Sequence, residues 1–205
     1  MLTIHHLRIG RSIFTVWLLE ELELEYGVKE YFRNPETNRA PPELKDIHPL
    51  GKSPVIDDDG LILSESGAIV SYLLEKHDPE HKFSPASSDL IAWGTYNQWL
   101  HYPEGSVFLA LLIQLLLLRS GIPAPVFEGY SKAEVSLHLD HISNQLGDND
   151  YILGNQFSAA DFGVCYMMSM AESLGLLSSH KSLRDYVERN KNRSAFKRAV
   201  ERVTE

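Results

Sequence analysis

Strand and helix signals alternate through the first 78 residues of the chain, and only helix signals remain after that point. Four short segments have the composition of β-strands: 2–7, 28–32, 54–56 and 61–63. A helix is predicted from about Ser12, and a second one begins at Ser64 or Glu65 and ends before Pro79. This order of β-α-β followed by β-β-α predicts an α/β unit with a mixed sheet.

The second half of the chain is predicted to be all helix. One of its helices is marked by four apolar residues that share a single stripe: Val135, Leu139, Ile142 and Leu146. A basic helix is predicted to close the chain over 182–203. A linker rich in proline and serine, 78–88, separates the two halves. We therefore expect an α/β domain over 1–80 and an all-helical domain over 88–205.

Charge and cysteine content exclude several classes of function. The 19 basic and 28 acidic residues give a formal charge of −9, whereas nucleic-acid binding depends on clustered positive charge. The single cysteine, Cys165, excludes an internal disulfide, a Cys-x-x-Cys pair and a cysteine metal cage. We read Cys165 as a buried apolar residue in a protein of a reducing compartment, with no nucleic-acid partner.

The most apolar run, Val107–Leu118, is shorter than the roughly 20 residues that a membrane-spanning helix needs. It therefore predicts a buried core helix and no membrane partner. The N-terminal residues show no signal peptide, so the expected location is the cytoplasm. His138 and His141 lie three apart on a predicted helix, where a zinc site or a solvated face is conceivable; we expect the solvated face and no metal.

Several segments, taken in order, resemble the cytosolic glutathione S-transferase family, and in particular its bacterial and fungal branch. They are Trp17-Leu18-Leu19-Glu20-Glu21-Leu22, Pro41-Pro42-Glu43-Leu44-Lys45, Gly51-Lys52-Ser53-Pro54-Val55, Glu65-Ser66-Gly67-Ala68-Ile69, Ser158-Ala159-Ala160-Asp161-Phe162 and Asn192-Arg193-Ser194-Ala195-Phe196. The resemblance covers essentially the whole chain. It implies a thioredoxin-like N-terminal α/β domain joined to an all-α helical C-terminal domain, which is the glutathione transferase fold.

The resemblance also implies a function. A family member takes glutathione as co-substrate, holds its thiol as thiolate and presents it to a small hydrophobic electrophile, in detoxification. The family usually forms two-fold dimers across the two domain types, so a homodimer is expected. The alternative reading is a non-catalytic protein on the same fold that binds glutathione or a hydrophobic ligand.

The segment around Pro54 is expected to bind the middle of glutathione. The family has a cis proline here, and the main chain of Ser53 or Val55 would pair with the cysteinyl part of the ligand like an added strand. A proline that merely begins a strand is the alternative. Lys52 is expected to meet the glycine carboxylate of glutathione, or to be an ordinary solvated lysine.

Glu65 and Ser66 follow a strand and open a helix, where free N–H groups and the helix dipole favour anions. Ser66 suits the γ-glutamyl carboxylate of glutathione, and Glu65 suits the ammonium group. Ordinary helix capping is the alternative.

The residue expected to activate the thiol is Ser12, with Arg11 as an electrostatic helper. Related sequences often read Ser-x-Ser-x-Arg after the first strand, whereas this chain has Gly10 in place of the first serine and Phe14 in place of the arginine. Ser12 is the remaining hydroxyl and therefore the candidate catalytic donor. The alternative is that Ser12 only caps the first helix.

Four residues of the second domain are candidates to line the pocket for the electrophile: Trp99, Tyr102, Ser106 and Leu109. Core packing is the alternative for each of them. Ser158 and Asp161 are read instead as a reciprocal helix N-cap with Phe157 and Phe162 as a hydrophobic staple, which concerns folding rather than catalysis.

Overall fold

The computed structural model describes residues 1–203 of the chain. In chain order its elements are β1 (Leu2–Leu7), α1 (Ser12–Glu21), β2 (Gly27–Tyr31), α2 (Leu44–Ile47), β3 (Val55–Asp58), β4 (Leu61–Ser64), α3 (Ser66–His77), α4 (Leu90–Tyr102), a π-helical turn (Pro103–Val107), α5 (Phe108–Ser120), α6 (Pro125–Leu146), α7 (Ala160–Ser173), α8 (Lys181–Lys191) and α9 (Ser194–Arg202). The strand and helix signals of the first 78 residues therefore correspond to real elements.

The strands of the first unit form one mixed sheet in the order β2-β1-β3-β4. β1 runs parallel to β2 and antiparallel to β3, and β3 and β4 form a hairpin. The register places His5 of β1 opposite Val55 of β3, and Val55 opposite Ser64 of β4. This is the α/β arrangement with a mixed sheet that the sequence predicts.

The chain divides into one compact unit of residues 1–81 plus the segment from 191 onward, and a second unit of residues 82–190. The expected division put the C-terminal helix with the helices before it, but α9 packs on α1 in the first unit. Two acidic residues at the end of α1 explain this position. Glu20 pairs with Arg198 at 2.9 Å, and Glu21 pairs with Arg193 at 2.6 Å.

The helices of the second unit confirm the apolar stripe of α6, because Val135, Leu139, Ile142 and Leu146 are all buried.

The prediction that the run Val107–Leu118 forms a buried core helix is wrong. Its surface is apolar on every side, so packing against α6 and α7 covers only one side of it. Leu118 is 71% exposed, and the stretch Leu90–Ser120 would by length and composition suffice to cross a membrane.

The start of α7 is built around the fully buried carboxylate of Asp161. Its two oxygens accept hydrogen bonds from the N–H of Ile152 at 2.9 Å, from the N–H and hydroxyl of Ser158 at 2.9 and 3.1 Å, and from the Tyr186 hydroxyl at 2.8 Å. Only half of the expected reciprocal cap is present. Asp161 accepts the N–H of Ser158, but the Ser158 hydroxyl donates to Asp161 instead of accepting a main-chain N–H. Burial raises the pKa of the Asp161 carboxyl, while the hydrogen bonds oppose that shift.

We expect Asp161→Ala to lower the free energy of unfolding by about 3 kcal/mol or more, because it leaves several buried donors without an acceptor. Urea denaturation followed by far-ultraviolet circular dichroism measures this change. Asp148→Ala is the matched control, since Asp148 is exposed on the loop after α6. Equal stability of the two variants would show that the Asp161 network does not hold this unit together.

Candidate functional site

The end of β1 is the point where hydroxyl groups from two loops meet. The main-chain N–H of Leu7 points at both Ser12 Oγ, at 3.3 Å, and Ser53 Oγ, at 3.2 Å. The Ser53 hydroxyl donates in turn to the carbonyl of His5 at 2.7 Å. These contacts join the loop before α1 and the loop before β3 to the same strand end.

The peptide bond between Ser53 and Pro54 is cis, as the resemblance implies. Pro54 and Val55 are buried. Val55 is paired with His5 on one side and with Ser64 on the other, inside the sheet. Of the two residues beside the proline, Ser53 is therefore better placed to offer its main chain to a ligand.

Glu65 stands between β4 and α3 in an unusual backbone conformation, with φ 72° and ψ 119°. Because Ser64 is the register partner of Val55, the next residue, Glu65, comes beside Pro54. Within the described chain the Glu65 side chain makes no capping hydrogen bond to α3, and it is exposed. Non-glycine residues at such angles cost about 1–3 kcal/mol and cluster at functional sites. This geometry counts against ordinary capping as the role of Glu65.

Sequence reasoning missed His48, which connects two parts of the site. Its Nε2 lies 3.2 Å from the Ser64 hydroxyl, and its Nδ1 accepts the N–H of Leu50 at 3.4 Å. His48 thus links the end of β4 to the loop that carries Lys52, whose side chain is exposed. A lone histidine in a loop of unknown shape gives no sequence signal for such a contact.

In its position Ser12 can neither cap α1 nor donate to a ligand thiol without movement. It is the first residue of α1, while Arg11 occupies the N-cap position. Its side chain is fully buried, and its Oγ lies 3.0 Å from His6 Nδ1 and 3.4 Å from the carbonyl of Leu7. The expected donation from Ser12 to a ligand thiol therefore lacks structural support. Ser12 is placed to hold β1 and α1 together.

The segment between β1 and α1 has no room for the hydroxyl that related sequences carry. A Cβ atom on Gly10 would lie 2.7 Å from the carbonyl oxygen of Leu7, which is closer than real Cβ contacts allow. Ile9 is held in the left-handed region with φ 53°, and its carbonyl accepts a hydrogen bond from Arg33 Nη2 at 2.9 Å. Arg11 is partly exposed at the start of α1.

The four candidates for the electrophile pocket have different surroundings in the second unit. Trp99 is 2% exposed and stacks on the ring of His141 at 5.3 Å, so core packing describes it better. The Tyr102 hydroxyl lies 2.6 Å from His138 Nδ1, whereas Ser106 and Leu109 are exposed.

The expected solvated face is present only at His141, which is exposed while its ring stacks on Trp99. The His138 side chain is 12% exposed, and its Nδ1 lies within hydrogen-bond distance of the Tyr102 hydroxyl. Burial raises the pKa of Tyr102 to about 12 and lowers the pKa of His138. Among residues 1–203, no group of three or more His, Cys, Asp or Glu side chains could hold a metal ion.

The mixed sheet with its cis proline, followed by a helical unit, defines the class of protein with a thioredoxin-like domain and an all-helical domain. Residues 2–75 match the family model described as "Glutathione S-transferase, N-terminal domain", and residues 126–201 match "Glutathione S-transferase, C-terminal domain".

Individual relatives agree with these matches. Glutathione S-transferase 3 of Schizosaccharomyces pombe is 34% identical over 99% of this chain and 88% of its own length. Glutathione S-transferase 1 of Saccharomyces cerevisiae is 33% identical over 83% of this chain and 81% of its own. The crystal structure of a glutathione S-transferase from Actinobacillus pleuropneumoniae is 34% identical, covers 98% of this chain and 92% of its own, and superposes with a TM-score of 0.89. The chain belongs to the glutathione S-transferase family, and the fold that the resemblance implies is confirmed.

We expect Ser12→Ala to lower the free energy of unfolding by about 1–3 kcal/mol, because it removes a buried hydroxyl that bonds His6 and Leu7. Urea denaturation of the full chain measures this loss. Ser88→Ala, on the exposed linker, is the control and should leave the unfolding curve unchanged. An unchanged curve for Ser12→Ala would make Ser12 a candidate ligand-binding residue again.

Proposed function

We propose that this protein is a glutathione transferase that binds glutathione in its first unit and attacks a small hydrophobic electrophile with the glutathione sulfur, in detoxification. The observation that carries the proposal is the juxtaposition of Ser53 beside a cis proline with Glu65, an exposed carboxylate in a constrained backbone. The full-length similarity to proteins named glutathione S-transferase supports it.

Each part of glutathione has a chemically suitable partner at this site. The Glu65 carboxylate pairs with the γ-glutamyl ammonium, and the first turn of α3 with Ser66 receives the γ-glutamyl carboxylate. The main chain of Ser53 pairs with the cysteinyl residue in the manner of an added strand. Lys52 is exposed at the edge of the site, where it meets the glycine carboxylate.

The sulfur requires stabilisation of its negative charge. A thiol with a pKa of about 8.5 is only about 3% ionised at pH 7, and a decrease of about two units, worth roughly 2.7 kcal/mol, makes it about three-quarters ionised. The N–H groups of Ile13 and Phe14 already donate to the carbonyls of Gly10 and Arg11 at 3.3 and 3.4 Å. With Ser12 buried and Gly10 lacking a side chain, we therefore assign this stabilisation to the positive end of the α1 dipole and to the charge of Arg11.

A second function class is a protein that binds glutathione without activating it. The observation that favours it is Gly10, where related sequences place a serine hydroxyl and where this backbone leaves no space for one. Both functions predict glutathione binding, so the ionisation state of the bound thiol separates them.

We expect glutathione bound to the wild-type protein to titrate about two pH units below the free thiol, followed by thiolate absorbance in the ultraviolet. Ser12→Ala should raise this thiol pKa less than Arg11→Gln does, because the buried Ser12 hydroxyl bonds His6 and Leu7 and the Ser53 hydroxyl still holds the Leu7 N–H. Arg11→Gln should raise it, because a positive charge beside the sulfur is lost.

The control for this titration is S-methylglutathione, which lacks an ionisable thiol and should give no absorbance change. An ordinary thiol pKa with tight binding would support the binding protein instead of the enzyme. A thiol pKa that rises more in folded Ser12→Ala than in Arg11→Gln would show that Ser12 is the donor after all.

We further propose that the protein is a cytoplasmic homodimer in which exposed apolar side chains of the second unit form part of the interface. These side chains, here called the apolar face, lie on α4, α5 and α6 and on the loop between α5 and α6: Leu90, Ile91, Trp93, Leu109, Leu116, Leu118, Ile122, Val126, Phe127, Tyr130 and Leu137. Soluble monomers rarely expose a contiguous apolar patch of more than a few hundred Å². A two-fold axis lets the same face cover itself on a second copy. The single cysteine, which is buried, fits a reducing compartment.

We expect the wild type to sediment as a dimer and Ile91→Glu with Phe127→Glu to sediment as a folded monomer, because two carboxylates would be buried at the interface. Analytical ultracentrifugation measures this. Val200→Glu is the control, since Val200 is an exposed valine of α9, away from the second unit's apolar face. A monomeric wild type that cosediments with lipid vesicles would instead assign this face to a membrane surface.

A further inference from the structure

The segment between β1 and α1 contains a backbone conformation that its residue type opposes. Ile9 has φ 53°, in the left-handed region that β-branched residues rarely occupy. Its side chain is 64% exposed, so burial of the side chain does not explain the conformation. Residues in such regions persist only where their surroundings hold them, and they concentrate at functional sites.

Arg33, two residues after β2, keeps Ile9 in this conformation. Its Nη2 donates to the carbonyl of Ile9 at 2.9 Å, and its Nη1 donates to the carbonyl of Asn38 at 3.1 Å. Asn38 is itself in the left-handed region, with φ 58°. One planar guanidinium thus bridges two loops through its fixed fork of donors, a geometry that a lysine ammonium does not reproduce.

The conformation at Ile9 determines where the next peptide groups point. The carbonyl of Leu7 lies so close to Gly10 that no side chain fits there. Leu7 is held in turn by Ser12 and Ser53. The segment from 8 to 11 is therefore fixed at its first end by two hydroxyls and at its middle by Arg33, while α1 fixes its other end.

We propose that Arg33 is a positioning residue for activation of the glutathione thiol. By holding Ile9 in the left-handed region, Arg33 fixes the start of α1, with the positive end of its dipole and with Arg11, relative to the sulfur. Activation then depends on a backbone conformation where related sequences use a serine hydroxyl. This inference rests on the proposed function, because it assumes that the sulfur lies at the start of α1.

A purely structural role for Arg33 makes a different prediction, and the two are separable. If Arg33 only stabilised the fold, its loss would lower stability regardless of the residue at position 9. If it holds a conformation that isoleucine resists, glycine at position 9 would make Arg33 less necessary, because glycine adopts positive φ without a Cβ penalty. A double-mutant cycle between Arg33 and Ile9 measures this coupling.

The experiment compares the wild type with Arg33→Ala, Ile9→Gly and the double variant, each as the full chain. We expect Arg33→Ala to raise the pKa of the bound glutathione thiol and to lower kcat/KM about tenfold, the typical effect of losing a hydrogen bond from a charged group. Affinity for S-methylglutathione, which has no thiol to ionise, should change little. In the Ile9→Gly background the same loss of Arg33 should lower kcat/KM by about threefold or less.

Two further variants sharpen the result. Arg33→Lys should recover only part of the activity, since one ammonium cannot bridge both carbonyls in the same geometry. Arg39→Ala is the matched control, because Arg39 is an exposed arginine of the same loop. In this variant the pKa of the bound glutathione thiol and kcat/KM should equal those of the wild type.

An unchanged thiol pKa in Arg33→Ala would overturn the inference, and so would an equal loss of activity in the isoleucine and glycine backgrounds. In either case a wild type with a low thiol pKa would leave the proposed function intact. A wild type that binds no glutathione would overturn the proposed function and this inference together, and it would do so before any variant is made.

Discussion

The main chain of Leu7 is the constraint on which the rest of the site depends. It ends the central strand of the sheet, and its N–H is shared between the hydroxyls of Ser12 and Ser53, which arrive from different loops. Buried main-chain groups must be satisfied, and here side chains do so because β3, the antiparallel partner of β1, pairs with it only as far as His5. The loop before β3 and the start of α1 are therefore placed relative to each other by one residue.

The same helix is held at its other end by charge. Glu21 is only 9% exposed, and a carboxylate that buried is strongly unfavourable without a partner. Arg193 supplies that partner through two hydrogen bonds, and Trp17 Nε1 adds a third. Glu20 and Glu21 at the end of α1 thus pair with the basic C-terminal segment. These pairs explain why the last helix returns to the first unit.

Much of this architecture could be predicted from the sequence, because strands, turns and amphipathic stripes are local signals. The hairpin at β3 and β4 and the buried stripe of α6 are examples. The functions of Ser12 and Trp99 were not predictable in this way, since a hydroxyl or an indole looks the same in sequence whether it faces a ligand or the interior. The run Val107–Leu118 shows the reverse problem. Its composition indicates that it is buried, but it does not indicate whether the same chain or another surface covers it.

The proposed stabilisation of the thiolate by the main chain at the start of α1 also explains why motif reasoning pointed to Ser12 instead. A hydroxyl donor is visible as a residue type at a given spacing, whereas a main-chain donor is visible only as a conformation. In this chain the informative residues are those that permit or enforce that conformation: Gly10, which tolerates the approach of the Leu7 carbonyl, and Arg33, which holds Ile9. In the proposed mechanism, the start of α1, fixed in this way, needs no reorganisation when negative charge develops on the sulfur, which is the property that makes preorganised dipoles effective. The absence of the expected serine therefore does not by itself remove the means of stabilising a thiolate.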